Sequence, residues 1–383
     1  MPWKARNPVD LRMEFVTRRR KGERMSDLCR EFGISRKTGH KIWNRYSEMG
    51  LEGLLDASRA PRQIPHRTPD ELVELVLTER KKHPTWGPKK LKSVIESTGI
   101  LLPSAATLYS LLRKHGMIEP KRVRTRAAPR PTKLRMTSAP NEVWSADYKG
   151  QFRLGSGEYC YPLTVTDHFS RFILGCEAMP AISDEGAREC FLTLFREHGL
   201  PTAIRTDNGV PFASTALATL TRLSVLWLRL GIELERIEPG HPEQNGRHER
   251  MHRTLKHETT RPAAENMLQQ QGRFDEFIDE FNHERPHEAL DMKRPADFFV
   301  PSTRPMLERL PEPRYPLHDD AIRVDDKGNL RIFKAKKFFL ALPLRREFVG
   351  IREEDDGRFL VSFMTTDLGH ATADGTKFLP LAS

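Results

Sequence analysis

Residues 119–140 constrain the fold of this chain more than any other stretch. Lys121, Arg122, Arg124, Arg126, Arg130, Lys133 and Arg135 are interleaved there, without periodicity, with Pro120, Pro129, Pro131 and Pro140. Proline removes a backbone donor and clashes inside a helix, and like charges at this density repel, so no regular element is expected to run through the segment. It reads as a basic linker, and the chain differs in kind on its two sides. Residues 1–140 hold 31 Lys and Arg against 14 Asp and Glu, a net of +17, whereas the remainder holds 32 against 38, a net of −6. All of the excess of +11 therefore sits in the first third. A basic module on a slightly acidic body is the electrostatic footprint of a nucleic-acid-binding arm. At 383 residues the chain has room for two to four domains.

The front third reads as short helices. Leu28 and Phe32 share a helical face, Gly33 ends that helix, and Ser35 caps the next, whose Ile42 and Trp43 can face inward. Helix, glycine turn, apolar residue and capped helix make the helix-turn-helix layout over residues 1–60. The second helix offers Arg36, Lys37, His40 and Lys41 to phosphates and base edges. A small helical bundle without DNA is the blander reading; the charge asymmetry favours DNA. After a Pro-broken basic link, Thr68-Pro69-Asp70-Glu71 opens a further helix with Thr68 as its expected cap. Trp86-Gly87-Pro88-Lys89-Lys90-Leu91 opens another, and Pro103-Ser104 caps a third carrying Leu108, Leu111 and Leu112. This predicts a second helix-turn-helix over residues 61–118, with Lys89 and Lys90 as candidate DNA contacts. Arg124 and Arg126 of the linker can track a phosphate backbone or belong to a bare tether.

Beyond residue 140 the pattern changes. Val143–Tyr148, Tyr161–Asp167 and Phe172–Cys176 read as consecutive strands. A helix from about Ser183 to His198, a short strand Ala203–Asp207, a helix Ala213–Leu230 and a strand Ile232–Ile237 follow. Three strands in a row and then alternating helix and strand predict a mixed α/β sheet with helices on its faces, over residues 141–300. Asp147 falls near the end of the first strand, Asp207 ends the fourth, and Glu249 follows Asn245-Gly246 near the start of a helix. Carboxylates at three element ends can converge on one sheet edge. Such a cluster stays ionised only with cations, so it predicts hard divalent metals of the kind used in two-metal phosphoryl transfer.

At these residues a resemblance becomes specific. Trp144-Ser145-Ala146-Asp147, Thr166-Asp167-His168-Phe169-Ser170-Arg171, Arg205-Thr206-Asp207-Asn208-Gly209 and Gly240–Arg250 resemble the core of the DDE transposases and retroviral integrases. Phe281–Leu290, with Pro295, resembles the segment that closes that core in bacterial insertion-sequence transposases. The resemblance implies a ribonuclease-H-like fold and a site of Asp147, Asp207 and Glu249 holding two Mg²⁺ or Mn²⁺ ions. It also implies cleavage of double-stranded DNA at transposon ends followed by strand transfer, with the 3′-OH attacking target DNA directly. A homodimer or larger synaptic complex on DNA follows, in a cytoplasmic, nucleoid-associated bacterial protein. Arg247, Arg250, Arg253 and Lys256 on the last helix are candidate DNA contacts. The alternative is a DNA-binding regulator descended from such an enzyme and no longer catalytic.

Two glutamates compete for the third position. Glu243 has the 35 intervening residues after Asp207 by which the family is often summarised, whereas Glu249 has 41. Glu249 is the better choice: Glu243 follows Pro242 in a turn before the Asn-Gly hinge, and Glu249 sits on the helix. The six extra residues can be absorbed in a long Ala213–Leu230 helix. His248-Glu249-Arg250-Met251-His252 also matches the zinc-protease pattern H-E-x-x-H, but Arg247, Arg250 and Arg253 suit DNA better than a buried zinc helix. Asp167 can approach the site; a role in tying the His168–Arg171 turn is the simpler expectation.

Residues 301–312 form a Pro-rich link, and four strand-like runs with Asp326–Asn329 and Asp355–Gly357 turns predict a small C-terminal β-barrel over 301–383. Its Lys334, Lys336 and Lys337 can contact DNA, or the barrel can serve subunit contacts. Cys29, Cys160, Cys176 and Cys190 form no C-x-x-C pair and read as isolated thiols in a reducing compartment. The first residues have no apolar run of a secretory signal, and no run approaches a membrane span.

Overall fold

The computed structural model describes residues 7–56, 67–118, 134–214, 217–238, 241–310, 312–333 and 335–381. The chain divides into two compact units, Met1–Thr68 and Pro69–Ser383.

Among its described residues the first unit has α1 (Pro8–Arg20), α2 (Met25–Glu31), α3 (Arg36–Met49) and a short 3-10 turn, Gly50–Leu54. Phe15, Val16, Leu28, Cys29 and Leu54 form its buried centre. Ser35 caps α3 as expected, accepting from the Thr38 N–H at 3.2 Å. Gly39 lets α3 lie directly on α2: a Cβ there would stand 2.4 Å from Cys29 Sγ and 3.0 Å from Met25 Sδ. Arg36, Lys37, His40 and Lys41 are exposed at the start of α3.

The second unit opens with α4 (Asp70–Lys82), α5 (Pro88–Ser97) and α6 (Ala105–Lys114), packed around Val76, Trp86, Leu91, Ile95, Leu108 and Leu112. Ser104 caps α6 through the Thr107 N–H. The N-cap position of α4 is Pro69 and has no side-chain cap bond, so the expected cap by Thr68 does not form.

Next come β1 (Val143–Tyr148), β2 (Phe152–Arg153), β3 (Tyr159–Asp167), β4 (Ile173–Met179), α7 (Asp184–His198), β5 (Ala203–Thr206), α8 (Arg222–Arg229), β6 (Glu233–Arg236), α9 (Gly246–Thr259) and α10 (Met267–Asp279). The sheet order is β2-β3-β1-β5-β6, with β4 also on β3. β1, β3 and β4 pair antiparallel, while β1, β5 and β6 pair parallel. Alternation along the strands sorts the side chains onto two faces. Trp144, Ala146, Leu163 and Val165 meet Phe191, Phe195 and Trp227 of α7 and α8. On the other face, Met251, Leu255, Phe274 and Phe277 of α9 and α10 pack with Ile173 and Cys176. Ser145, Asp147, Thr164 and Thr166, offset by one residue from the first set, therefore turn toward α9.

One helix differs from expectation. The predicted Ala213–Leu230 helix is a short turn, Leu217–Thr219, followed by α8. Thr221 and Ser224 form a reciprocal capping box that starts the helix late. The six residues assigned to a longer helix are thus not accommodated there.

The tail contains β7 (Asp320–Arg323), β8 (Asn329–Leu330), β9 (Phe338–Phe339), β10 (Phe348–Glu353), β11 (Phe359–Phe363), β12 (Thr366–Ala371) and β13 (Phe378–Pro380). The predicted barrel does not close. The sheet is open, in the order β13-β12-β11-β10-β7, beside a separate β8-β9 ribbon. Its apolar face finds a partner outside the tail instead: Leu220, Val225 and Leu228 share a core with Val349, Ile351, Val361 and Phe363. Arg229 pairs with Glu347 at the same junction. Lys337 is held by Asp325 at 2.9 Å, and Lys334 lies outside the described residues. A chain ending at Leu310 is expected to uncover these three side chains, each worth about 1.5–3 kcal/mol. The core should then melt several degrees lower and bind an apolar dye; an unchanged Tm would show the junction to be energetically idle.

Candidate active site

Asp147 and Asp207 arrive on neighbouring parallel strands. Ser145 registers with Arg205, so the two aspartates, each two residues further on, leave β1 and β5 at the same level. Asp207 caps its own turn, its Oδ1 accepting from the Gly209 N–H at 3.0 Å. Glu249 is exposed in the first turn of α9. The backbone of Glu243 belongs to a separate short turn, Pro242–Asn245, before that helix.

The carboxyl of Asp147 is pushed up to about 7 by burial first, then by the negative charge of Asp207, with a smaller contribution from Glu249. A carboxyl that burial and like charge keep from ionising is the state a cation reverses. The donor set is all carboxylate oxygen, which suits Mg²⁺ or Mn²⁺ and not a soft metal. Among the described residues, no three His, Cys, Asp or Glu side chains are placed so as to hold a metal ion together. Asp147 thus feels the charge of Asp207 and Glu249 without the three being drawn into a cage.

The histidines of the H-E-x-x-H match are engaged elsewhere. His248 and His252 are buried, and both Nε2 atoms converge on Thr164 Oγ1, at 2.7 and 2.6 Å. His248 Nδ1 lies 2.9 Å from Thr166 Oγ1. Thr164 donates its single hydroxyl proton to the Asp147 carbonyl, so it accepts from both imidazoles, which places their protons on Nε2. The Nδ1 of His252 is then an acceptor, 3.6 Å from Asp147 Oδ2, and a protonated Asp147 can face it. Burial holds the His248 pKa down to about 3. These are neutral histidines seating α9 on the sheet. Sequence reasoning saw the pair only as a zinc pattern; the Thr164 and Thr166 of β3 that engage them carry no motif.

Asp167 is structural. Its Oδ1 accepts from the Ser170 N–H and hydroxyl at 2.7 and 2.6 Å, and its Oδ2 from the Asn141 N–H at 2.8 Å.

The DNA candidates fare unequally. Lys256 is exposed on the Glu249 side of α9, Arg247 and Arg250 on the other flank, and Arg253 between the two. Lys89 is paired with Glu288 at 3.0 Å. Lys90 is half-buried beside Arg285, and its pKa is lowered to about 7 by burial first. Both lysines therefore lie beside the catalytic core, Lys89 exposed and Lys90 half-buried. Arg124 and Arg126 lie outside the described residues.

Comparison with known proteins agrees with this layout. Two family models described as integrase core domain match residues 137–242 and 230–295. A helix-turn-helix domain model matches residues 11–62, and a homeodomain-like domain model matches residues 38–112. The chain is 28% identical over 240 residues to a 31.7 kDa protein of insertion element IS407 from Burkholderia multivorans, covering 59% of this chain and 78% of that one. It is 27% identical over 294 residues to a 39.2 kDa protein of insertion element IS476 from Xanthomonas euvesicatoria, covering 73% and 79%. Over 186 residues it is 30% identical to the Gag-Pol polyprotein of baboon endogenous virus, covering 48% of this chain and 10% of that polyprotein. The chain thus carries an integrase core domain behind helix-turn-helix domains, and it is similar over most of its length to proteins of bacterial insertion elements.

Proposed function

We propose that this protein binds the terminal inverted repeats of its own element and carries out metal-dependent DNA cleavage and strand transfer. The observation that carries this reading is the field at Asp147, where burial and the charges of Asp207 and Glu249 converge on one carboxyl. Asp147, Asp207 and Glu249 would hold Mg²⁺ or Mn²⁺, two ions per site, which supply charge neutralisation at the attacking and leaving oxygens of an in-line displacement. The chain's own contribution is placement. Strands β1 and β5 fix the two aspartates at one level, and His248 and His252 seat the helix that carries Glu249. Arg253 and Lys256, one and two turns along α9 from Glu249, hold the phosphates of the reacting strand. Arg36, Lys37, His40 and Lys41 read the transposon end as an exposed helix does in the major groove. Joining two ends to one target requires at least two copies of the site, so the working form is a dimer or larger assembly on DNA, at the nucleoid of a bacterial cell.

The test uses purified full-length protein, Mg²⁺ and a duplex carrying the inverted repeats that flank the gene. Cleavage at the repeat and joined products are expected, both abolished by Asp147→Asn. Tight repeat binding without cleavage in Mg²⁺ or Mn²⁺ would sink the enzymatic reading.

A further inference from the structure

On the flank of α9 away from Glu249, the second helix-turn-helix meets the catalytic core around a recess of about 710 Å³. Its lining includes Lys90, Arg171, Arg247, Arg250, Arg253 and Arg285. The acids nearby are already engaged. Glu258 is held by Arg285 at 2.8 Å and by Thr85. Glu280 accepts from Trp86 Nε1 at 3.1 Å, Glu288 pairs with Lys89, and Asp167 is bound by Ser170 and Asn141. Arg171 and Arg247 reach only the carbonyl of His168, at 3.3 and 2.9 Å. Among the described residues Lys90 and Arg250 form no ion pair. Several cations thus face one concavity, and the carboxylates around it, Asp167, Glu258, Glu280 and Glu288, are each held by other donors and offset them only in part.

That arrangement costs the free protein. The Arg171 pKa is lowered to about 10, by burial first and then by the charges of Arg247 and Arg250. Lys90 is depressed by burial and by Arg285. Cations brought together against burial and mutual repulsion are relieved by a polyanion, and forked guanidiniums suit phosphate oxygens. The recess is too small for a duplex and large enough for the backbone of one strand. From these contacts we infer that the recess is a binding site for consecutive phosphodiesters of single-stranded DNA, separate from the carboxylate site across α9. This rests on the transposase reading for the source of the strand: cleavage at an end frees a single strand, and a strand parted from its partner needs holding away from the reacting one.

The experiment measures anisotropy of a labelled single-stranded oligodeoxynucleotide of unrelated sequence with the full-length protein, across a salt series and without divalent cation. The double variant Lys90→Gln/Arg250→Gln breaks no ion pair and should fold. It is expected to bind the strand at least about tenfold more weakly, with a salt slope shallower by about 1.4, since each phosphate contact on a single strand contributes roughly 0.7. Arg188→Gln/Arg196→Gln, which removes as much charge from the exposed side of α7, should stay within about twofold of wild type. Equal affinity and slope for wild type and Lys90→Gln/Arg250→Gln would overturn the assignment, as would an equal loss on a duplex of the same length. Neither end sequence nor metal enters this assay. A chain that never cuts or joins DNA, which sinks the transposase reading, therefore still decides the recess.

Discussion

Glu249→Gln is expected to lower the rate of strand transfer by at least about 10³-fold, while Glu243→Gln leaves it within about threefold. A ligand carboxylate stabilises metal and transition-state charge by several kcal/mol, and each 1.36 kcal/mol is tenfold in rate. The choice between the two glutamates follows from helix geometry. His252, three residues after Glu249, points its Nδ1 at Asp147 Oδ2, so the face of α9 nearest Asp147 runs beside Glu249. Asp147 registers the charge of Glu249 in its raised pKa. Glu243 belongs by its backbone to the separate turn ahead of the helix; what speaks for it is its sequence distance from Asp207. Single-turnover joining of pre-cleaved ends isolates the chemical step, and end binding measured beside it controls for folding. A Glu243→Gln protein that binds ends and cannot join them, beside an active Glu249→Gln, would reverse the assignment.

What the sequence made legible was local, and what it hid was long-range. Ser35 and Ser104 cap the helices expected of them because a cap is decided within three residues. Val143–Tyr148 forms the strand expected of it. The helix expected over Ala213–Leu230 does not form as one element, because Thr221 and Ser224 restart the chain inside it. Leu220 and Val225 answer to a partner in the tail that no local pattern announces, and that partner is also why the tail sheet has a covered face without closing into a barrel. His248 and His252 bond to a threonine 84 and 88 residues away. Lys89 and Lys90 were legible as charges; that they face Glu288 and a recess of arginines was not.

Arg205→Met is expected to destabilise the second unit by about 3 kcal/mol at pH 8 and to flatten its acid sensitivity. Arg205 is 3% exposed, in the strand that delivers Asp207. Its guanidinium meets Glu235 at 2.9 and 3.0 Å, the Arg135 carbonyl at 2.9 Å and His168 Nε2 at 3.1 Å. Removing it strands a mostly buried carboxylate, which Arg135 at 3.9 Å only partly answers. The guanidinium can only donate, so His168 Nε2 must accept, and its Nδ1–H donates to Ser145 Oγ at 3.1 Å. A second proton on His168 would point at the guanidinium. The imidazole pKa is accordingly lowered to about 2, by burial first and the charge of Arg205 second. An unfolded histidine protonates near pH 6.5, so acid favours the unfolded chain: stability complete above pH 6.5 drains as the pH falls toward 2. At pH 5 the loss from this one group is about 2 kcal/mol. Without Arg205, burial and the charges of Arg247 and Arg171 still depress the imidazole, but less, so the drain ends at a higher pH and its total shrinks. Urea denaturation at pH 8, 5 and 3 measures both effects. A variant as stable as wild type at pH 8, or one equally sensitive to acid, would show that Arg205 does not set the state of His168. With the pair intact, β5 holds Asp207 level with Asp147, so the same substitution should also slow strand transfer without weakening the binding of ends.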